Sequence, residues 1–150
     1  MTRVCLLGDP EVRLPYELLS RQTAREALST YDIEEPFPNS VAVDTVSLGG
    51  AVSLLNDLNW YLVRFVDEAL VLEPSVSREE WLSRDLARAV RDGEVPPEET
   101  DQRLKVFGLV EGAPVEPMFV RRVQGNTPEY DLRDVDETLV VRVSEAEFSA

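Results

Sequence analysis

The chain has 150 residues, 29 of them Asp or Glu and 15 Lys or Arg, for a formal charge of -14, and it contains no histidine, one cysteine (Cys5) and one lysine (Lys105). Without imidazole it cannot build a Ser-His-Asp or Cys-His relay, and a lone thiol cannot complete the four nitrogen or sulfur ligands of a structural zinc site. Hydrophobic residues make up 43%, and Trp60, Trp81 and five phenylalanines spread along the length exclude an acidic disordered tail.

Taken in chain order, Arg3-Val4-Cys5-Leu6-Leu7-Gly8 is a short apolar run ended by Gly8, Asp9 and Pro10, the form of a buried first strand and a turn. Pro15 suits the first turn of a helix, and Tyr16, Leu19, Thr23 and Ala27 recur at helical spacing, which predicts a helix over 15–30. Glu34-Glu35-Pro36-Phe37-Pro38-Asn39 then forms an extended connection, because its prolines forbid helix. Residues 40–46 are branched and predict a second strand, with Ser47 placed to cap whatever element follows. Residues 48–72 read either as one long helix or as a helix and then strands. The dense aromatic and branched run Trp60 to Val66 favours a helix over 50–58, a break near Asn59, a strand over 60–66, a turn at Asp67-Glu68 and a strand over 70–73.

Ser77-Arg78-Glu79-Glu80 has capping-box spacing, Leu82, Leu86 and Ala89 form a stripe, Glu80 and Arg84 sit four apart, and Gly93 with Pro96-Pro97 supplies a stop. Together they predict a helix over 78–92. Residues 104–110, 117–123 and 138–143 read as strands of an antiparallel set, joined by Glu111-Gly112 and by a polar loop over about 124–137. The expected architecture is a single α+β domain spanning 1–150, with about three helices on a mixed, largely antiparallel sheet.

Little chemistry is singled out. Lys105, in an alternating strand, reads as outward-facing, and Cys5 as a small buried hydrophobe rather than a nucleophile. Carboxylate pairs such as Asp67-Glu68, Glu79-Glu80 and Asp134 with Asp136 arise by chance among 29 acidic residues. The segment 131–137 lacks the glycine and ligand ladder of a calcium loop. Ser47-Leu48-Gly49-Gly50, between strand and helix, could cradle a phosphate, yet it lacks P-loop and GxGxxG spacing. No catalytic, cofactor-binding or metal-binding residue is therefore assigned. The most unusual string, Asn56-Asp57-Leu58-Asn59-Trp60-Tyr61, abuts short polar residues on two large aromatics; read functionally, it makes Asn59, Trp60, Tyr61 and Arg64 a candidate interaction surface, and read structurally, a helix end with core aromatics after it.

Fourteen of the 15 basic residues are arginine, and acidic excess with lysine depletion points to adaptation to molar salt, where long-range charge effects are screened. This composition, the run Asp44-Thr-Val-Ser-Leu-Gly-Gly-Ala-Val-Ser-Leu-Leu-Asn-Asp-Leu-Asn-Trp-Tyr-Leu-Val-Arg-Phe-Val-Asp67 and the string Glu-Glu-Trp-Leu-Ser-Arg-Asp-Leu-Ala-Arg at 79–88 resemble a small haloarchaeal family of unknown function, across most of the chain. The resemblance implies a cytoplasmic protein of an extreme halophile, and transfers no activity or site. No apolar run reaches the roughly 18 residues of a membrane span, and an unpaired Cys5 agrees with a reducing compartment. The expectation is a non-catalytic interaction or regulatory module of a halophilic cytoplasm, with a protein partner or a homo-oligomer, no cofactor and no membrane. Nucleic acid is disfavoured because Arg121-Arg122 is the lone adjacent basic pair. The alternative is a small enzyme or nucleotide-responsive protein using carboxylates, Arg side chains and the Ser47–Gly50 turn.

Overall fold

β1 (Thr2–Gly8) is apolar on both faces, and such a strand needs a covering layer on each side. The computed structural model, which describes residues 1–123 and 137–149, supplies both. After β1 come two short helices, α1 (Leu14–Leu19) and α2 (Gln22–Leu28), then β2 (Ser40–Thr45), the helices α3 (Leu48–Asp57) and α4 (Asn59–Phe65), and β3 (Val66–Leu72). The second half holds β4 (Trp81–Ser83), α5 (Arg84–Arg91), a 3-10 turn at Pro97–Glu99, β5 (Arg103–Val110), β6 (Ala113–Arg121), β7 (Glu137–Arg142) and α6 (Glu145–Ser149). The strands join in one mixed sheet of order β2-β1-β3-β4-β7-β5-β6. Among the described residues only β4 and β7 pair in parallel. This is the expected α+β class, with six helices among the described residues where about three were expected. The polar loop falls, apart from Glu137, outside the described residues, as do the 131–136 carboxylates.

Val4 and Leu6 of β1, Val41 and Val43 of β2, Val71 of β3 and Leu82 of β4 face the first five helices, where Leu14, Leu18, Leu28, Leu55, Leu58 and Leu86 meet them. On the opposite face Cys5, Leu7, Ala42, Leu70 and Trp81 pack with Phe107, Leu109, Leu139, Val141 and Val143. The half of the sheet made by β5, β6 and β7 therefore serves as the second layer over the back of the first half. Its curl is visible in the ion pair between Lys105 of β5 and Glu68 of β3. Those strands are three places apart in the sheet and in a flat one would lie about 14 Å from each other. Lys105 thus faces inward, not outward as its alternation suggested, because this side of β5 is covered by a carboxylate-bearing strand.

Several local expectations give way to tertiary pairing. The predicted helix over 15–30 is two helices, since the backbone turns extended at Arg21; the break lets Leu14 and Leu18 as well as Ala24 and Leu28 reach the same core. Residues 60–65 are helical rather than a strand, and Val66 opens β3, because helical spacing puts Leu58, Tyr61 and Leu62 against the core while Trp60 and Val63 point outward. The supposed turn at Asp67-Glu68 lies inside β3. The capping box is the largest departure. The hydroxyl of Ser77 accepts from the amides of Glu79 and Glu80 (3.3 and 3.0 Å), but the chain then extends so that Leu82 pairs with Val71 and Arg142. Ser83 becomes the cap of α5, accepting from Leu86 N–H at 3.2 Å, and its hydroxyl donates to Glu147 at 2.5 Å. Trp81 and Leu82 bury on opposite faces, as strand alternation requires, and the expected Glu80–Arg84 pair is not formed.

Candidate functional site

The residues singled out on α4 divide by face. Leu58 ends α3, and Asn59 opens the next helix with its Oδ1 accepting from Arg84 at 2.8 Å. The same guanidinium reaches Asn56 Oδ1 (3.3 Å) and the Leu55 carbonyl (3.4 Å), so Asn59 helps staple the α3–α4 junction to α5. Burial pulls the Arg84 pKa below its ordinary value. Tyr61 is buried and meets Trp60 edge-on, with ring centroids 5.1 Å apart. Trp60 itself is 48% exposed.

Its indole is flanked by guanidinium groups. Arg64 lies 3.9 Å from the ring centroid and donates to the Trp60 carbonyl at 2.9 Å. Arg21, from the start of α2, lies 5.7 Å from Trp60 and 5.0 Å from the ring of Phe65, and pairs with Glu17 at 3.0 Å. Val63, 73% exposed, extends the ridge. Of the four predicted residues, Trp60 and Arg64 thus share a surface, Tyr61 turns into the core and Asn59 is committed to Arg84. Arg21 and Val63 were missed; Arg21 carries no local sign of its contact with Trp60, and Val63 was legible only once the segment was read as helix.

A separate cleft of about 830 Å³ lies at the end of β1, between residues 10–16, residues 35–39, the start of β3, and residues 113–117 of the β5–β6 hairpin. The Glu111-Gly112 turn, with both φ values positive, closes that hairpin. Gly8 forms part of the cleft, and a Cβ there would lie 2.7 Å from Leu14 Cβ and from Asn39 Nδ2. Asn39 fixes the neighbouring loop: its Oδ1 accepts from Leu14 N–H (2.7 Å) and its Nδ2 donates to the carbonyls of Asp9 (3.0 Å) and Val12 (2.9 Å). In β3 the register shifts, Leu7 opposing Glu68 while Gly8 opposes Val66, so Asp67 is an extra residue in a bulge. The bulge breaks strand alternation, and consecutive Asp67 and Glu68 both line the cleft. Burial pushes the Asp67 carboxyl up and the charge of Asp9 adds to it, while Lys105 opposes.

On the outer face of β5 and β7, Glu80 accepts at Oε1 from Arg142 Nε (2.8 Å) and from Arg122 (3.3 Å), and at Oε2 from Arg122 (2.9 Å). Burial alone would raise the Glu80 carboxyl, but the hydrogen bonds and charges of Arg122 and Arg142 outweigh it and hold it below the usual value. Arg122 is thereby turned toward protein groups rather than presented beside Arg121 to a phosphate. The Ser47 hydroxyl accepts from Gly50 N–H at 3.1 Å as the cap of α3, and neither this turn nor Arg64 lines the cleft. Cys5 is fully buried and its thiol is pushed up to about 12, mainly by burial, as an inert core residue should be. Among the described residues no group of three or more Cys, Asp or Glu could hold a metal ion, and no helix is long and apolar enough to cross a membrane.

The protein-family model of a family of unknown function matches residues 2–109, ending inside β5. No curated protein and no solved structure matches the chain.

Proposed function

The chain belongs to the DUF5804 family, a family of unknown function, and we propose that it is a non-catalytic interaction or regulatory module of a salt-rich haloarchaeal cytoplasm, meeting a protein partner or a second copy of itself through the Trp60–Arg64 ridge of α4. The observation that supports this reading is Trp60, an indole half exposed to solvent yet held against the guanidinium of Arg64, with Arg21 beyond it. Trp and Arg are the residue types that most often carry binding energy at interfaces. A ring already fixed by its neighbours loses little freedom on binding.

Arg64 has no carboxylate partner among the described residues, although the chain carries 29 acidic side chains. Its charge is free to meet an acidic surface, which a second copy would also offer. Stacking of a cation on a ring acts at contact distance, so it persists in molar salt, where the Debye length is about 3 Å. The acidic, lysine-poor composition supports the salt-rich setting.

Light scattering and affinity capture, both in about 2 to 4 M KCl, test the reading. The expected result is a dimer, or direct binding to a purified partner, that weakens about tenfold or more in folded Trp60→Ala and Arg64→Ala variants. A monomer that captures the same proteins with and without Trp60 overturns it.

A further inference from the structure

The cleft beside β3 contains none of the Trp60 ridge and has a different chemistry. Its charge is one-sided, with Glu35, Asp67, Glu68 and Glu116 set against Arg13. Its body is apolar, built on Leu7, Phe107 and prolines, and its volume of about 830 Å³ falls within the usual range for small-molecule sites, about 300–1,000 Å³. Glu68 is engaged by Lys105. Asp67, which the bulge brings to the same side, is accessible, and its carboxylate makes no hydrogen bond or ion pair among the described residues.

The chain already seats one alkylammonium at the edge of this cleft. Lys105 Nζ pairs with Glu68 and lies 5.3 Å from the ring centroid of Phe107 and 5.7 Å from that of Phe119. A carboxylate beside an aromatic face suits a primary ammonium on an apolar stem, because the anion takes the N–H donors while the ring attracts the charge and covers the methylenes. Glu68 and Phe107 both line the cleft, and Asp67 repeats the carboxylate half of that arrangement one residue away.

We propose that the cleft is a binding site for small primary alkylammonium compounds, with the ammonium held by Asp67 and the alkyl chain lying on the apolar wall around Leu7 and Phe107. The raised carboxyl of Asp67 accords with this, since Lys105 offsets only part of its burial and of the repulsion from Asp9, and a bound cation offsets the rest. The pairing is favoured on contact rather than at long range, so it operates in concentrated salt.

Titration calorimetry of the full chain with hexylamine, 1-hexanol and hexanoate in about 2 M KCl tests it. Hexylammonium should bind about ten- to a hundredfold more tightly than 1-hexanol, the gain of a charge-assisted hydrogen bond. Hexanoate should bind least, and Asp67→Asn should bring hexylamine down to the hexanol level. Equal affinity for the three probes, no binding of hexylamine, or unchanged affinity in folded Asp67→Asn overturns the proposal. Should that variant fail to fold, the hexylamine–hexanol difference in the wild-type chain decides. Amide shift perturbations should centre on Leu7, Asp67 and Phe107, and perturbations confined to other surfaces also overturn it.

Discussion

Glu80→Gln should cost the fold about 2–3 kcal/mol. The carboxylate joins the segment before β4 to Arg122, just after β6, and to Arg142 on β7, all with side chains mostly withdrawn from water. Glutamine keeps one carbonyl oxygen but turns an amide N–H₂ toward guanidinium donors, so at least one charge-assisted bond, about 1.5–3 kcal/mol, is replaced by opposed donors. Breaking a fully buried ion pair costs about 3–5 kcal/mol. Here the Glu80 side chain is 21% exposed, and water can partly re-solvate the arginines, which places the loss at the low end.

For a chain of this size the corresponding fall in melting temperature is about 4–12 °C. Urea unfolding at fixed KCl measures it, since guanidinium salts would screen the contact under study. The pH profile gives an independent reading. The folded Glu80 carboxyl lies below its usual 4.5, so its contribution is complete above that value and is lost as pH falls through the folded pKa. The gap between wild type and Glu80→Gln should therefore close in acid. A loss below about 0.5 kcal/mol, within the range of ordinary surface substitutions, or a gap that does not shrink on acidification, would refute the reasoning.

Gly8→Ala should destabilise by about 2–3 kcal/mol in the same assay, because the new methyl meets Leu14 Cβ, Asn39 Nδ2 and the Asn39 carbonyl at 2.7, 2.7 and 2.8 Å and disturbs the loop those groups hold. Ser83→Ala should lose about 1–2 kcal/mol, since it removes the cap of α5 and the bond to Glu147, and Ser83→Thr should recover most of it.

Much of the architecture was legible wherever a short-range signal decided the outcome. β1, β2, β5 and β7 coincide with runs of branched and apolar residues, the Glu111-Gly112 dipeptide closes its hairpin, Ser47 caps α3, and Gly93, at φ 76, ends α5. The break near Asn59 was also visible. The candidate surface was legible only in part. Trp60 and Arg64 are neighbours on one helix turn, whereas Arg21 reaches the same indole from a helix that shares no local pattern with α4.

The failures share a cause. Ser77-Arg78-Glu79-Glu80 carries a helix-start signal worth about 1 kcal/mol, and it yields to a three-residue strand because Trp81-Leu82-Ser83 gains backbone pairing on both edges and burial on both faces. Trp60 to Val66 carries strand propensity, and all of it but Val66 yields to helix because only that period places Leu58, Tyr61 and Leu62 together in the core.

The amino-acid sequence by itself determined that the chain offers no imidazole and only one thiol, too few for a nitrogen and sulfur zinc site, and it determined the turns and caps that act over three or four residues. Only the tertiary structure decided which of 29 acidic residues matter. A carboxylate gains meaning from the distance to a cation or cavity elsewhere in the chain. Glu80 met two arginines, Glu68 met Lys105 across a curled sheet, and Asp67 was carried into a cleft by one extra residue in a strand. Chain closure over tens of residues sets those distances, and no local pattern records it.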